Sequence, residues 1–107
     1  MLAKKYRLPI QLMRTRKADR TIPTDIFLLK IFSQTLLYSR CGIIVSKGVA
    51  ARAVDRNALR RLCFQSIGNF VKRSSSKDLL FILSPRIRSF SPAMIQEKIR
   101  ATLARIA

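Results

Sequence analysis

Between Lys47 and Arg61 the chain reads KGVAARAVDRNALRR, with Arg56 and Arg60 four residues apart and Asn57 and Arg61 four apart beside them. On a helix that spacing sets the four side chains in two parallel rows, each one turn long. Like charges so placed weaken an isolated helix by about 0.2–0.5 kcal/mol per pair, and an anionic partner reverses the sign. A guanidinium fork grips a phosphate through two N–H bonds, while an amide both donates and accepts and so suits a phosphate, a 2′-hydroxyl or a metal-bound water. Lys47 and Arg52 add charge in the preceding loop. The chemistry predicted here is RNA binding, weighed against a plain solvated basic face.

Catalysis by the protein itself finds no support in the residue types. The chain has no His, and no close pair of carboxylates or cysteine beside a base is apparent. General acid–base, nucleophilic and metal-cluster sites all require such groups. Gly48 lacks the companion glycines of a phosphate-binding loop, so no nucleotide or other small-molecule cofactor is expected, and no catalytic residue is assigned.

The elements that must carry the basic rows follow from periodicity. Leu59, Leu62, Cys63, Ser66, Ile67 and Phe70 form a stripe at helical spacing, which predicts a helix reaching about Val71 with its apolar side inward and Asn57, Arg61 and Phe64 on the other side. Asp55 suits the positive end of its dipole. Phe64 either stacks on a base or packs under the N-terminal arm. Before this helix, Asp25 to Phe32 and the stretch centred on Gly42 to Val45 read as strands, with a span between them short enough to allow antiparallel neighbours and room for another short strand at Thr35 to Tyr38. Phe27, Leu29 and Ile31 share one face of the first strand, and Leu28, Lys30 and Phe32 the other, which is either an ordinary covered face or an open surface able to track a nucleic-acid strand.

Residues 1–9 form a basic extended arm, after which Pro9 fits the first turn of a helix carrying Ile10, Met13 and Lys17 on one side with Arg14, Arg16 and Arg20 around them, the alternative being a solvated basic arm without fixed shape. Thr21 to Thr24, with Pro23, reads as a turn. After the central helix, Ser74 to Lys77 is a polar loop and Asp78 to Leu83 a buried strand ended by Pro85. Ser91 and Pro92 open a last helix, with Met94, Ile95, Ile99, Leu103 and Ile106 as its stripe. The order is α, β, β, with room for a further β, then α, β, α: a single small α+β domain over residues 1–107, in which the crossover helix covers one sheet face.

Composition narrows the partner. Twenty-two Lys and Arg face five Asp and Glu, a net charge of +17 in 107 residues of which 49% are hydrophobic. Such a body is no disordered tail, and its self-repulsion calls for a polyanion. An anionic membrane surface fits poorly, because the apolar side of the basic helix is needed for the core. No apolar run has the length of a membrane span, and Cys41 and Cys63 read as reduced, buried thiols, which points to a cytoplasmic protein.

Val45-Ser46-Lys47 followed by Ala51-Arg52-Ala53-Val54-Asp55-Arg56-Asn57-Ala58-Leu59-Arg60-Arg61 resembles the signature of the bacterial ribonuclease P protein subunit. That family pairs a V-S-K element with a helix of pattern G-K-A-V-x-R-N-R-x-K-R. Ala58 stands where the second Arg of Arg-Asn-Arg is usual, Ala51 replaces a Gly, one residue is inserted between Lys47 and Ala51, and Phe64 takes a usually basic position. The resemblance implies a mainly antiparallel sheet with helices packed on it and a left-handed βαβ crossover, a fold like that of the second domain of a small-subunit ribosomal protein. It implies partnership with a catalytic RNA that removes the 5′ leader of precursor tRNA, with Mg²⁺ held mainly by that RNA. By position, Arg56, Asn57, Arg60 and Arg61, with Lys47 and Arg52 before them, fall to the RNA-binding signature, and Lys30, Phe32 and Phe64 are candidate leader contacts. A non-enzymatic RNA-binding module, for example a ribosome-associated one, is the alternative.

Overall fold

The computed structural model describes residues 4–13, 16–73 and 76–106, without the side chain of Leu12. Arg14 of the expected first helix and Ser74 and Ser75 of the expected polar loop lie outside the described residues. The strands are β1 (Arg20–Pro23), β2 (Phe27–Ser33), β3 (Arg40–Ile44) and β4 (Lys77–Leu83), with α1 (Ala53–Arg73) between β3 and β4 and α2 (Pro92–Ala104) near the end. They form a small α+β domain around one four-stranded sheet in the order β1-β2-β4-β3.

Two of the three strand pairings are antiparallel, and β3 with β4 is parallel. β2 and β3 are therefore not the antiparallel neighbours that the short span between them would allow. β4 lies in between, so the connection crosses two strand spacings, roughly 10 Å, which a handful of residues spans easily. The apolar run Leu79 to Leu83 takes this central place because residues on both of its faces are covered. No strand forms at Thr35 to Tyr38. The additional strand is β1, where a turn was expected: an edge strand tolerates Pro23, which has no N–H to give, because the backbone nitrogen there faces away from β2 and no ladder bond is lost, and only Ile22 of its four residues is buried.

One face of the sheet carries the main core. Phe27, Leu29 and Ile31 of β2, with Leu79, Phe81 and Leu83 of β4, join Cys63, Ile67 and Val71 of α1 and Ile95, Ile99 and Leu103 of α2. Phe27 and Phe81 meet edge to face, ring centroids 5.1 Å apart. The Ser91 hydroxyl caps α2 by accepting from the Met94 N–H, and Pro92 occupies its first position as expected. Met94 leaves the predicted stripe and is exposed, while Thr102 is buried and donates its hydroxyl to the Lys98 carbonyl.

The other face is closed by the N-terminal segment. Leu8 and Met13 pack on Phe32 and Leu80, and the Leu8 N–H bonds to the Cys41 carbonyl at 2.8 Å along the outer edge of β3. Among the described residues of the expected first helix, one short 3-10 turn forms at Ile10–Met13, and another forms at Lys4–Tyr6 in the arm expected to be extended. The basic side chains of the expected helix repel at helical spacing, and the chain gains more by delivering Leu8 and Met13 to the sheet. Gly42 makes room for this: a Cβ there would meet the Ile10 side chain at 3.0 Å.

Candidate nucleic-acid interface on the central helix

β3 ends at Ile44, and the next residues tuck Val45, Val49 and Ala50 into the interior while Ser46, Lys47 and Gly48 stay at the surface. Arg56 secures this approach, donating from Nη1 to the carbonyls of Ala50 at 3.0 Å and Ala51 at 2.8 Å. One of the predicted binding arginines is thus a strap that fixes the turn into α1. Arg52 is largely exposed and meets Asp55 at 3.7 Å. Exposed pairs of this kind are worth little and are screened by salt, so a phosphate can compete for Arg52.

Further along α1, Arg60 donates to the Asn57 side-chain oxygen at 2.8 Å. That bond orients the amide and leaves the remaining Arg60 N–H groups and the Asn57 NH₂ as donors. Arg61 and Lys47 are exposed and have no hydrogen bond or ion pair among the described residues. No carboxylate is bonded to Arg56, Arg60 or Arg61 among the described residues. Arg60 and Arg61, with Asn57 beside them, therefore form a cationic ridge, of which Arg61 is the open member and Arg56 the anchored base.

The ridge borders a groove of about 600 Å³ lined by Arg7, Asn57, Arg60, Arg61, Phe64 and Lys72, together with Gln65, Gly68 and Asn69. Asn57 to Lys72 spans about 22 Å at the helical rise. Lys72 was missed by the sequence reading, although Asn57, Arg61, Gly68 and Lys72 continue one stripe at helical spacing. Arg7 had no such signal, because only the return of the N-terminal segment brings it there. Phe64 is half-buried with its ring against the main core, and so forms part of the groove's wall.

Lys30 and Phe32 lie apart from this ridge, on the second sheet face. Lys30 is half-buried. Phe32, expected on an open or a covered face, is 1% exposed, with the Arg16 guanidinium 5.4 Å from its ring centroid. The N-terminal segment covers it, and it presents no ring for stacking.

The five carboxylates are all engaged. Asp19 accepts the Ser33 N–H at 2.6 Å, which holds its pKa below the ordinary carboxylate value. Asp78 is fully buried and receives Arg40 through Nε at 3.0 Å and Nη2 at 2.8 Å, which raises the Arg40 pKa further. Asp25 meets Lys98, and Glu97 meets Arg100. Burial pushes the Cys41 and Cys63 thiols up to about 12, far from a reactive thiolate. Among the described residues no group of three or more His, Cys, Asp or Glu could hold a metal, and no helix is long and apolar enough to cross a membrane.

Comparison with known proteins bears on this basic, carboxylate-poor surface. The family model described as Ribonuclease P matches residues 10–107. The chain belongs to the ribonuclease P protein family. Among solved structures it is similar to a Staphylococcus aureus RNase P protein, a mutant with defective mRNA degradation activity, at a TM-score of 0.81 and 21% identity over 96% of this chain and 89% of that one. It is also similar to the RNase P protein from Thermotoga maritima in complex with 1-(4-fluorophenyl)-2-thiourea, at 0.80 and 21% over 94% of this chain and 100% of the other. The comparison with curated proteins gave no match. At this identity the structures show a shared fold, and the family rests on the sequence model.

Proposed function

We propose that this chain is the protein subunit of a ribonuclease P ribonucleoprotein, and that it binds the catalytic RNA through the α1 ridge and assists Mg²⁺-dependent removal of the precursor-tRNA 5′ leader. The observation that carries the reading is the ridge: Arg61 stands open, and Arg60, half-buried and bonded to Asn57, keeps further N–H donors, on a helix whose opposite side is committed to the core, in a chain of net charge +17. Phosphates crowd where two RNAs meet, and fixed guanidinium groups relieve that repulsion. Arg56 acts by holding the approach to α1 in shape, Asn57 and Arg60 as a linked pair of donors, and Arg61, Lys47 and Lys72 as open cations.

The chain's own residues do not fit a resident Mg²⁺. Among the described residues no three of His, Cys, Asp or Glu come together, whereas Mg²⁺ demands near-ideal octahedral oxygen ligands. Mg²⁺ then belongs to the RNA, and the chain lowers the concentration needed by removing competing electrostatic strain. Contact with the leader rests on charge, from Lys30 at the sheet and the cations of the groove, rather than on stacking by Phe32. As a subunit of an endoribonuclease the chain supplies binding, and the cutting stays with its partner. The whole chain acts as one RNA-binding domain, working in the cytoplasm with the catalytic RNA and precursor tRNA.

Reconstitution tests this. Adding the protein to a ribonuclease P RNA should lower the Mg²⁺ needed to cleave precursor tRNA, and the protein alone should cut nothing. RNA binding with an unchanged Mg²⁺ requirement would instead indicate a non-enzymatic binding module, and cleavage by RNA-free protein would overturn the division of labour.

A further inference from the structure

A second groove, of about 590 Å³, lies between α1 and α2. Its lining includes Ser66, Asn69, Phe70 and Arg73 from α1, and Arg100 and Leu103 from α2. Lys77, at the start of β4, adds a third cation and donates to the Ile106 carbonyl at 3.2 Å. Among the described residues no carboxylate lines the groove; Glu97 reaches Arg100 at 3.6 Å from a largely exposed position. The Ser66 hydroxyl, beneath the groove floor, is shielded from solvent and has no hydrogen-bond partner among the described residues.

Apolar surface from Phe70 and Ala104 is thus combined with the side-chain amides of Gln65 and Asn69 and with cations. A bare phosphate would leave the apolar surface unused, and an apolar ligand would leave the cations unused. A nucleotide uses both, with its ring on the apolar wall, its base edge toward groups that donate and accept, and its phosphate on the guanidinium groups. The volume lies within the range of about 300–1,000 Å³ usual for ligand sites. Gln65 and Asn69 line this groove and also the one bordering the cationic ridge. A strand lying on the ridge can therefore cross α1 and enter the second groove.

We propose that the α1–α2 groove takes an unpaired nucleotide from the RNA bound along the α1 ridge. The inference rests on the RNA-binding reading above, and extends the contact surface to the far side of the helix. Arg73 and Arg100 hold the phosphate, and Phe70 with Ala104 supports the ring.

The test is an NMR titration of the labelled full chain with a single-stranded RNA hexamer, the same hexamer carrying abasic positions, a nucleoside monophosphate, and inorganic phosphate. The hexamer should move the amides of Ser66, Asn69, Phe70 and Leu103, the abasic hexamer should bind the groove about tenfold more weakly, and Arg73→Ala with Arg100→Ala should weaken the groove response about tenfold while leaving the response at Arg60 and Arg61 unchanged. Both substituted side chains are exposed, so the fold should survive, and an unchanged thermal melt verifies this. A hexamer that moves the ridge but not the groove overturns this inference alone, and one that moves neither overturns the functional reading as well. Equal groove shifts with phosphate would mean a plain anion site, and shifts with the monophosphate only would mean a free-nucleotide site; either overturns the proposal.

Discussion

At the scale of single residues, arginines that look equivalent in sequence do different work. Arg56 spends its guanidinium on the carbonyls of Ala50 and Ala51, while Arg61 is open. We expect Arg56→Ala to cost about 1–2 kcal/mol, as charged hydrogen bonds at a partly exposed site do, and Arg61→Ala to leave the melting temperature unchanged yet weaken RNA binding. Urea titration and RNA affinity measured on both variants check this separation. Asp78→Asn should be more severe, about 3 kcal/mol in the same titration, because it leaves the half-buried Arg40 charge without its bidentate partner. The cysteines set a pH limit. Their folded pKa, raised from 9.0 to about 12, means the unfolded chain releases its thiol protons first, so this contribution is intact below pH 9 and is lost as pH rises toward 12. Denaturation midpoints measured across that range should fall, and a thiol reagent at neutral pH should label Cys41 and Cys63 slowly until the protein is unfolded.

Elements differ in how much of themselves they show in sequence. α1 and α2 were legible because their apolar stripes, and the Ser91-Pro92 start, are local signals. β2 and β4 were legible as dense apolar runs. β1 was not, since Arg20, Thr21 and Pro23 look outward and only Ile22 marks an interior. The placement of β4 between β2 and β3 was also hidden, because nothing local states which partner a strand takes. The N-terminal segment is the clearest case of tertiary override: Pro9 suits a helix start, but the segment's apolar side chains are drawn onto the sheet across Gly42. Gly42→Val should therefore displace that segment and cost about 1–3 kcal/mol by overpacking. Limited trypsin digestion would show it as faster cleavage after Arg7, while wild-type rates would refute the packing role of Gly42.

For the molecule as a whole, charge and fold serve one arrangement. The two sheet faces are closed by different parts of the chain, α1 and α2 on one and the N-terminal segment on the other, so the basic side chains are left to the surface. The basic rows of α1 could be read from spacing alone, and Lys72 continues them at the same spacing; that Arg7 borders the same groove could not, because it depends on how the N-terminal segment returns. Net charge predicts avid binding to any RNA, but only the ridge predicts a localised share of it, with each phosphate contact contributing about 0.7–0.9 to the slope of log affinity against log salt.

That share is measurable directly: the salt dependence of affinity for a ribonuclease P RNA, compared between wild type, Arg60→Ala with Arg61→Ala, and Arg88→Ala with Arg105→Ala. The ridge variant should lose at least tenfold in affinity and flatten the slope by about 1.5, the sum for two phosphate contacts, while the second pair, equal in charge removed but away from the ridge, should change much less. Equal losses from both variants would contradict the account, since binding would then follow total charge and not the helix that displays it.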